Sequence, residues 1–374
     1  MPEIPGLMLT YCTNIHPGES WPEVFRTLQR LVPTVKAAVS PDAAFPLGLR
    51  LSARAIREVG DTESQMLLEW CAEHDCFVAT LNGFPYGPFH GEPVKERVYL
   101  PDWRSVERVD YTNRLADRLA AWLPAGTPGS ISTVPVTFGP CVEDGGLARV
   151  RANLIASLEH LDRLRQRTGK DLALALEPEP GCVLETTGDL VRFVEALRLP
   201  GELSGTLGAC FDCCHHAVAF ESPATALGNL REAGVRVAKV QVSSALRVDG
   251  RDAELLRPLC EPTYLHQTVI RRRRGRLDRF DDLPSALAAG AESGEEWRVH
   301  FHVPVFAARF GALGTTRDFL AQVLSLVGVA NLLEVETYTW DVLPPELKTE
   351  TVTDSIIREL LWTRDQLDAP HRSH

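Results

Sequence analysis

Short apolar runs alternate with amphipathic stretches along the whole chain. Eight runs have strand length and character: Met8–Ile15, Phe45–Leu51, Phe77–Gly83, Ser130–Phe138, Asp171–Glu177, Leu207–Asp212, Val237–Ser243 and Leu332–Tyr338. Helical patterning fills the spaces between most of them, at about 21–35, 52–74, 102–122, 145–167, 187–197 and 315–326, and again from about Glu346. Ser20-Trp-Pro-Glu23 has the spacing of a capping box, with Pro22 tolerated in a first helical turn. Strands that alternate with helices predict parallel βαβ units. Eight of them predict a closed (β/α)8 TIM barrel, an α/β fold, as a single domain over residues 1–374 with extended loops. A doubly wound sheet would carry a glycine fingerprint after its first strand, and Thr13–Gly18 does not. Residues 244–297 read as irregular. Arg298–Phe306 is one further strand-like segment whose place is ambiguous.

The fifth run, Asp171-Leu-Ala-Leu-Ala-Leu-Glu177, shows how such a barrel is built. Alternation puts Leu172, Leu174 and Leu176 on one face and Ala173, Ala175 and Glu177 on the other. The leucines suit a covering helical layer, and the alanines leave room in a narrow interior. Glu177 and Glu179 stand where the strand stops, and a carboxylate buried there needs a cation, a hydrogen-bond network or water.

Composition narrows the setting. The 374 residues carry a formal net charge of -11, which argues against a nucleic-acid surface. No apolar run is long enough for membrane insertion. Met1–Pro5 lacks the basic-then-apolar order of a secretory signal. Nine cysteines, among them Cys141, are scattered through the chain, which predicts reduced thiols and a cytoplasmic location. Cys210-Phe-Asp-Cys213 has no second pair, so Cys210 and Cys213 read as small packing residues. The run Arg271–Arg276 lies beside Asp278, Asp281 and Asp282 and reads as a solvated turn or hairpin. The long aromatic, Pro- and Gly-rich segment from Phe84 to Pro101 reads as either a functional lid or an ordered surface segment. There is no G-x-S-x-G elbow and no phosphate loop.

In barrels of this kind the active site lies at the C-terminal ends of the strands. Those ends carry Glu177 and Glu179; Asp212 with His215 and His216; Lys239, Gln241 and Ser243; and Glu334 with Glu336. His300 and His302 share a face of the ambiguous segment. Carboxylates aimed into one mouth repel each other. One divalent cation (Mn, Mg, Co or Zn) would relieve that, as would ion pairs to Lys239, Arg50 or Arg247. Lys239 has two readings, a charge-stabilising group on substrate and an interior ion pair with Glu177. Tyr11, Trp21, Phe84, Tyr86, Tyr338 and Trp340 lie near strand ends and either line an apolar substrate pocket or pack the upper loops.

Leu174-Ala-Leu-Glu-Pro-Glu-Pro-Gly181, Glu185–Leu190 and Phe211-Asp-Cys-Cys-His215 resemble the xylose isomerase-like barrel superfamily of sugar isomerases and epimerases. Tyr11–Trp21, Asn82–His90, Phe301–Val305 and Glu334–Asp341 resemble, more narrowly, the EboE family. That family is labelled a metabolite traffic protein and is usually encoded beside a prenyltransferase-like membrane protein. The resemblance implies that Glu177, Asp212 and Glu336 are metal carboxylates and that Glu177 and Glu336 exchange a substrate proton through an enediolate. It implies that His215 contacts substrate or metal, and that Glu185 is a substrate-side acid. The superfamily has a histidine ligand on the seventh strand where this chain has Gln241, a weaker ligand; either His302 or His266 replaces it, or the site binds metal poorly. The expected function is a metal-dependent isomerase or epimerase of a small hydroxy-carbonyl or sugar-like metabolite. The alternative is a binding or hand-over protein that keeps the barrel without turnover. A phosphodiesterase of the endonuclease IV type is disfavoured by the negative charge.

Overall fold

The computed structural model describes residues 6–139, 146–326, 328, 330–345 and 348–368. Its barrel strands are β1 (Met8–Tyr11), β2 (Phe45–Arg50), β3 (Cys76–Asn82), β4 (Gly129–Thr133), β5 (Leu172–Leu176), β6 (Leu207–Asp212) and β7 (Arg236–Val242). An inserted block follows, with β8 (Leu246–Asp249), β9 (Thr268–Arg271), β10 (Leu277–Phe280), β11 (Glu296–Val299), β12 (Arg309–Phe310) and β13 (Leu313–Thr315). The last barrel strand is β14 (Leu332–Val335). Each of the eight sequence runs contributes one parallel strand, in the order β1-β14-β7-β6-β5-β4-β3-β2. A bridge between Cys12 and Gly48 links the two ends of that order.

The small-residue face of β5 is where alternation puts it. Ala173 and Ala175 stand in register with Ser130 and Ser132 of β4, and Ala175 with Gly208 of β6. Leu172, Leu174 and Leu176 are buried in the main apolar cluster, which the covering helices share. The first helix, Trp21–Val39, begins at the expected cap, where the Ser20 amide donates to Glu23 at 2.9 Å. The helical stretch from Ser52 to His74 is two helices, Ala53–Glu58 and Asp61–Glu73. The break falls at Val59-Gly60, where the Gly60 amide starts the second by donating to Glu63.

The stretch read as irregular is instead a second, six-stranded antiparallel sheet in the order β10-β9-β11-β8-β13-β12. Its strands are two to four residues long, too short for periodicity to stand out. The ambiguous segment around His300 is the end of β11 and the chain just beyond it, so it belongs to the insertion. The arginine run is the β9–β10 hairpin turn, with Arg272 paired to Asp278 and Glu295. No helix among the described residues is long and apolar enough to cross a membrane. No disulfide joins the described cysteines; Cys141 and the helix onset expected at Glu346 lie outside the described residues. The last described helix spans Val352–Asp368.

Two interior positions carry predictions. A Cβ on Gly48 would lie 1.9 Å from Glu334 Oε1 and 2.9 Å from the Tyr11 carbonyl oxygen. Gly48→Ala should therefore cost at least the ~1–3 kcal/mol typical of overpacking. The reading is a lower denaturation midpoint at unchanged m-value, and an unshifted midpoint would contradict the packing. Glu359 is buried on the last helix and accepts hydrogen bonds from the Val305 amide at 3.1 Å and the Thr337 hydroxyl at 2.6 Å. Burial raises its pKa to about 7, although those donors oppose the shift. The folded chain then holds a proton that the unfolded chain gives up above its ordinary range, so stability falls as pH rises toward 7. Glu359→Gln should lessen that slope by about 1.4 kcal/mol per pH unit; equal slopes in wild type and variant would refute the assignment.

Candidate metal centre

The residues at the barrel mouth come from five separate places in the chain. Glu177 directly follows β5, and Asp212 ends β6. Gln241 is on β7, standing in register with Asp212 on one side and Glu334 on the other. Glu336 directly follows β14. His215 lies in the short helix Cys213–Val218, whose N-cap is Asp212, accepting from the His215 amide at 2.9 Å. His300 and His302 enter from the insertion, just beyond β11.

Oxygens of Glu177, Asp212 and Glu336 lie within 4.8 Å of one another, and all three residues are buried. No lysine or arginine forms an ion pair with them among the described residues. Lys239 pairs with Glu334 at 2.5 Å, Arg50 with Glu19 at 2.7 Å and Arg247 with Asp318 at 2.9 Å. Glu336 accepts from the Asn14 and Asn82 amides at 2.7 and 3.1 Å. Asp212 accepts from the Ser243 hydroxyl at 2.9 Å. Glu177 Oε2, Asp212 Oδ2 and both side-chain polar atoms of Gln241 have no protein hydrogen-bond partner. Such orphans are rare and costly in a native interior. Three carboxylate oxygens within 4.8 Å of one another, with the unpartnered Gln241 amide on the strand beside Asp212, are donor types that suit a hard divalent cation, so the residues fit the expected ion.

The electrostatics agree. Burial, then the charges of Asp212 and Glu179, push the Glu177 carboxyl well above its ordinary range, against the pull of Lys239. Burial, then Glu177, Asp212 and Glu334, do the same to Glu336. Asp212 is held below its usual range: burial opposes ionisation, but the nearby imidazoles, the His215 amide and the Ser243 hydroxyl outweigh it. Burial lowers His215 to about 4 and also lowers His300 and His302, so the three imidazoles are neutral at pH 7. Glu179 rises to about 8 by burial, although Tyr99 donates to it at 2.7 Å.

Above the carboxylates is a cavity of about 50 Å³, room for a few waters. Glu177, Glu336 and His215 form its polar floor, and Phe84, Phe89, Tyr99, Tyr264 and Tyr338 its aromatic wall. The loop after β3 closes it. The Val94 and Lys95 amides donate to the Thr263 carbonyl of the insertion at 2.7 and 2.9 Å, and Lys95 Nζ reaches Asp282 at 2.7 Å.

The structure thus brings Glu177, Asp212, Gln241, His302, Glu336, His215, Phe84 and Tyr338 to one mouth. Four expected substrate contacts are elsewhere. Lys239 is wholly enclosed and paired to Glu334, not Glu177. Trp21 stacks on Phe25 and Trp122 in the helical layer. Tyr11 is buried against His16. Glu185 pairs outside the cavity with Arg279 of the insertion at 2.6 Å. Position near a strand end fixes neither which way a side chain turns nor where the following loop carries it. His266 is taken up by Glu261 at 3.0 Å and the His300 carbonyl, which leaves His302 to supply an imidazole. Asn14, Asn82 and Gln267 were missed. Asn82 closes a strand whose last residue faces the mouth, a signal available in the sequence; Asn14 lies in the single 3-10 turn Thr13–Ile15 and Gln267 in a loop, with no such signal.

No family model matches the sequence, and no curated protein does. Solved structures match by fold. A xylose isomerase-like TIM barrel protein from Mycobacterium smegmatis in complex with magnesium aligns with a TM-score of 0.55 at 10% identity, covering 96% of each chain. D-psicose 3-epimerase from Clostridium cellulolyticum H10, solved with D-tagatose, gives 0.52 at 10% identity, covering 96% of this chain and 98% of that one. D-psicose 3-epimerase solved in the presence of D-fructose gives 0.52 at 11% identity over 96% and 99%. The fold is therefore that of the xylose isomerase-like TIM barrels. The narrower EboE likeness has no counterpart among these matches.

Proposed function

We propose that the protein is a divalent-metal-dependent isomerase or epimerase that moves a proton at the carbon beside a carbonyl in a small hydroxy-carbonyl or sugar-like metabolite. The observation that carries this reading is the group of Glu177, Asp212 and Glu336 at a barrel mouth, without an ion pair to lysine or arginine among the described residues and with unpartnered oxygens on Glu177 and Asp212. The ketose epimerases and the magnesium complex that share the fold support it by analogy.

Glu177, Asp212, Gln241 and Glu336, with His302, would hold the ion. Once bound, it would polarise the substrate carbonyl and stabilise the developing negative charge. The chain's own groups do the rest. Glu177 and Glu336 act as base and acid, and burial with the neighbouring carboxylates raises both pKa values, which strengthens each as a proton acceptor. Asn14 and Asn82 fix the Glu336 carboxylate. His215, with Nδ1–H donated to the Pro178 carbonyl at 3.0 Å, presents Nε2 as an acceptor for a substrate hydroxyl. The aromatic wall excludes water and favours a guest with an apolar face. A sugar-sized guest requires the β3 loop to lift from the insertion. The test is a screen of ketoses and hydroxy-ketones in D₂O with added manganese. Deuterium at the carbon beside the carbonyl is expected; a full panel without incorporation would refute turnover.

The hand-over reading has one observation in its favour, Gln241 where an imidazole would bind a metal more strongly. A metabolite released on denaturation, without exchange activity, would select it. On the resemblance to EboE, we further propose a metabolite traffic context for either activity, with a prenyltransferase-like membrane protein as associate. Co-sedimentation with membranes of the producing cell tests that association, and protein found wholly in the supernatant would count against it.

A further inference from the structure

The cavity has two unlike halves. Its floor is polar: Asn14, Asn82, Glu177, Glu336 and His215 line it. Its wall is apolar and is built from three separate parts of the chain. Phe89 of the β3 loop, Tyr264 of the insertion and Tyr338 after β14 pack ring against ring, with centroids 5.1, 5.1 and 5.3 Å apart. Phe84 and Leu265 extend this surface.

The tyrosines add little polarity, because each phenol proton is committed within the protein. Tyr99 donates to Glu179 at 2.7 Å and accepts from Gln267 Nε2 at 2.6 Å. Tyr264 donates to the Phe89 carbonyl at 3.0 Å. Tyr338 donates to His300 Nε2 at 3.2 Å; Nδ1 of that ring meets Gln267 Oε1 at 2.7 Å, which leaves Nε2 as the acceptor. The bonds of Tyr99 and Tyr264 also hold the cavity shut, since each joins the β3 loop to another part of the chain. A guest hydroxyl that took either one would oppose closure.

Charge gives the same answer. Lys95 is the one lysine or arginine among the described lining residues, and its Nζ is held by Asp282 at 2.7 Å and the Glu261 carbonyl at 3.1 Å. Glu177, Glu179 and Glu336 line the same space. A phosphate or carboxylate on the guest would meet these carboxylates and no free counter-charge. A hydroxyl against the wall would lose its water without gaining a partner, which is costly. An apolar group there gains from burial.

We propose that the substrate is an uncharged hydroxy-ketone with an aryl or branched alkyl tail, in place of a free or phosphorylated sugar. Its head, HOCH₂–CO–CHOH, sits on the polar floor at Glu177 and Glu336, and its tail lies against Phe89, Tyr264 and Tyr338. The assignment narrows the isomerase reading and rests on it for the head alone; the tail follows from the wall.

The test uses three open-chain compounds with that head: erythrulose, its terminal phosphate ester, and the analogue with benzyl in place of the terminal CH₂OH. Binding to the manganese-loaded protein is measured by calorimetry, and exchange in D₂O by NMR. The benzyl compound should bind about 100-fold more tightly than erythrulose, because a ring is buried and an unpartnered hydroxyl removed. The phosphate ester should bind more weakly than either. Leu265→Asn puts an amide on the wall and should narrow the gap between the benzyl compound and erythrulose, with metal content as in wild type. An unchanged gap in that variant would place the tail elsewhere and overturn the assignment. So would benzyl binding that is absent or no tighter than that of erythrulose, or a phosphate ester that binds best. Exchange of erythrulose in the same experiment would then leave the isomerase reading standing. Tight benzyl binding without exchange of any compound would refute turnover and leave the tail assignment in place.

Discussion

Glu177→Gln should lower metal-dependent deuterium exchange by at least about 100-fold, the lower end of what a positioned general base contributes. It should also weaken binding of the metal. The same change should make the metal-free protein more stable. Glu177 is buried beside Asp212 and Glu336, with one oxygen unpartnered and no lysine or arginine on it. Without an ion, its charge raises the energy of the folded state. An amide of the same shape removes that repulsion and all the proton-transfer capacity. Loss of activity with gain of metal-free stability is the signature of a site held under strain for function. Thermal melts of stripped wild type and variant, with and without added manganese, separate the two effects. Unchanged exchange in the variant would remove Glu177 from the reaction. Lower metal-free stability would mean that its carboxylate is compensated in some way the geometry does not reveal.

The second large effect is one layer deeper. Lys239 and Glu334 are both fully enclosed, and their ion pair fills the barrel interior beneath the metal group. Burial alone would lower the Lys239 pKa, but Glu334 outweighs it and keeps the ammonium charged. The raised pKa means that this contribution is intact at neutral pH and, on the alkaline side, is lost as pH rises through the folded value, which lies above lysine's ordinary range. Lys239→Met leaves Glu334 charged, buried and alone, at a cost of about 3–5 kcal/mol. Lys239→Met combined with Glu334→Leu should recover most of that, because replacing both members of a buried pair by apolar residues is often near neutral. The double variant should retain the metal, since neither residue is among its ligands. If Lys239→Met instead left stability intact and abolished substrate binding, the substrate-contact reading of Lys239 would be restored.

The barrel was readable in the sequence because its eight strands are buried on both sides and separated by long amphipathic helices. The carboxylates followed from position: Glu177, Asp212 and Glu336 each stand at or just past a strand end, where the fold sends side chains into the mouth. Lys239 was harder. Alternation correctly turns it inward, but two glutamates were within reach, and only the register that seats Glu334 beside Gln241 decides between them. Trp21 and Glu185 failed for another reason. Both follow strand ends in sequence, but their loops carry them out of the mouth, to the helical layer and to the insertion. The insertion itself was the main omission. Strands of two to four residues give no period to detect, so the source of His300, Gln267 and Tyr264 was hidden, and with it the side of the cavity that Tyr264, Leu265 and His300 line.

The central claim is that the buried carboxylates hold a divalent metal. Its most direct test is elemental analysis of the purified, untagged protein beside a Glu177→Ala, Asp212→Ala double variant. Near-stoichiometric divalent metal in the wild type, lost from the carboxylate site in the variant, is the predicted result. No metal in either protein, even after incubation with manganese or zinc, would contradict it and leave a metabolite-binding barrel as the reading to pursue.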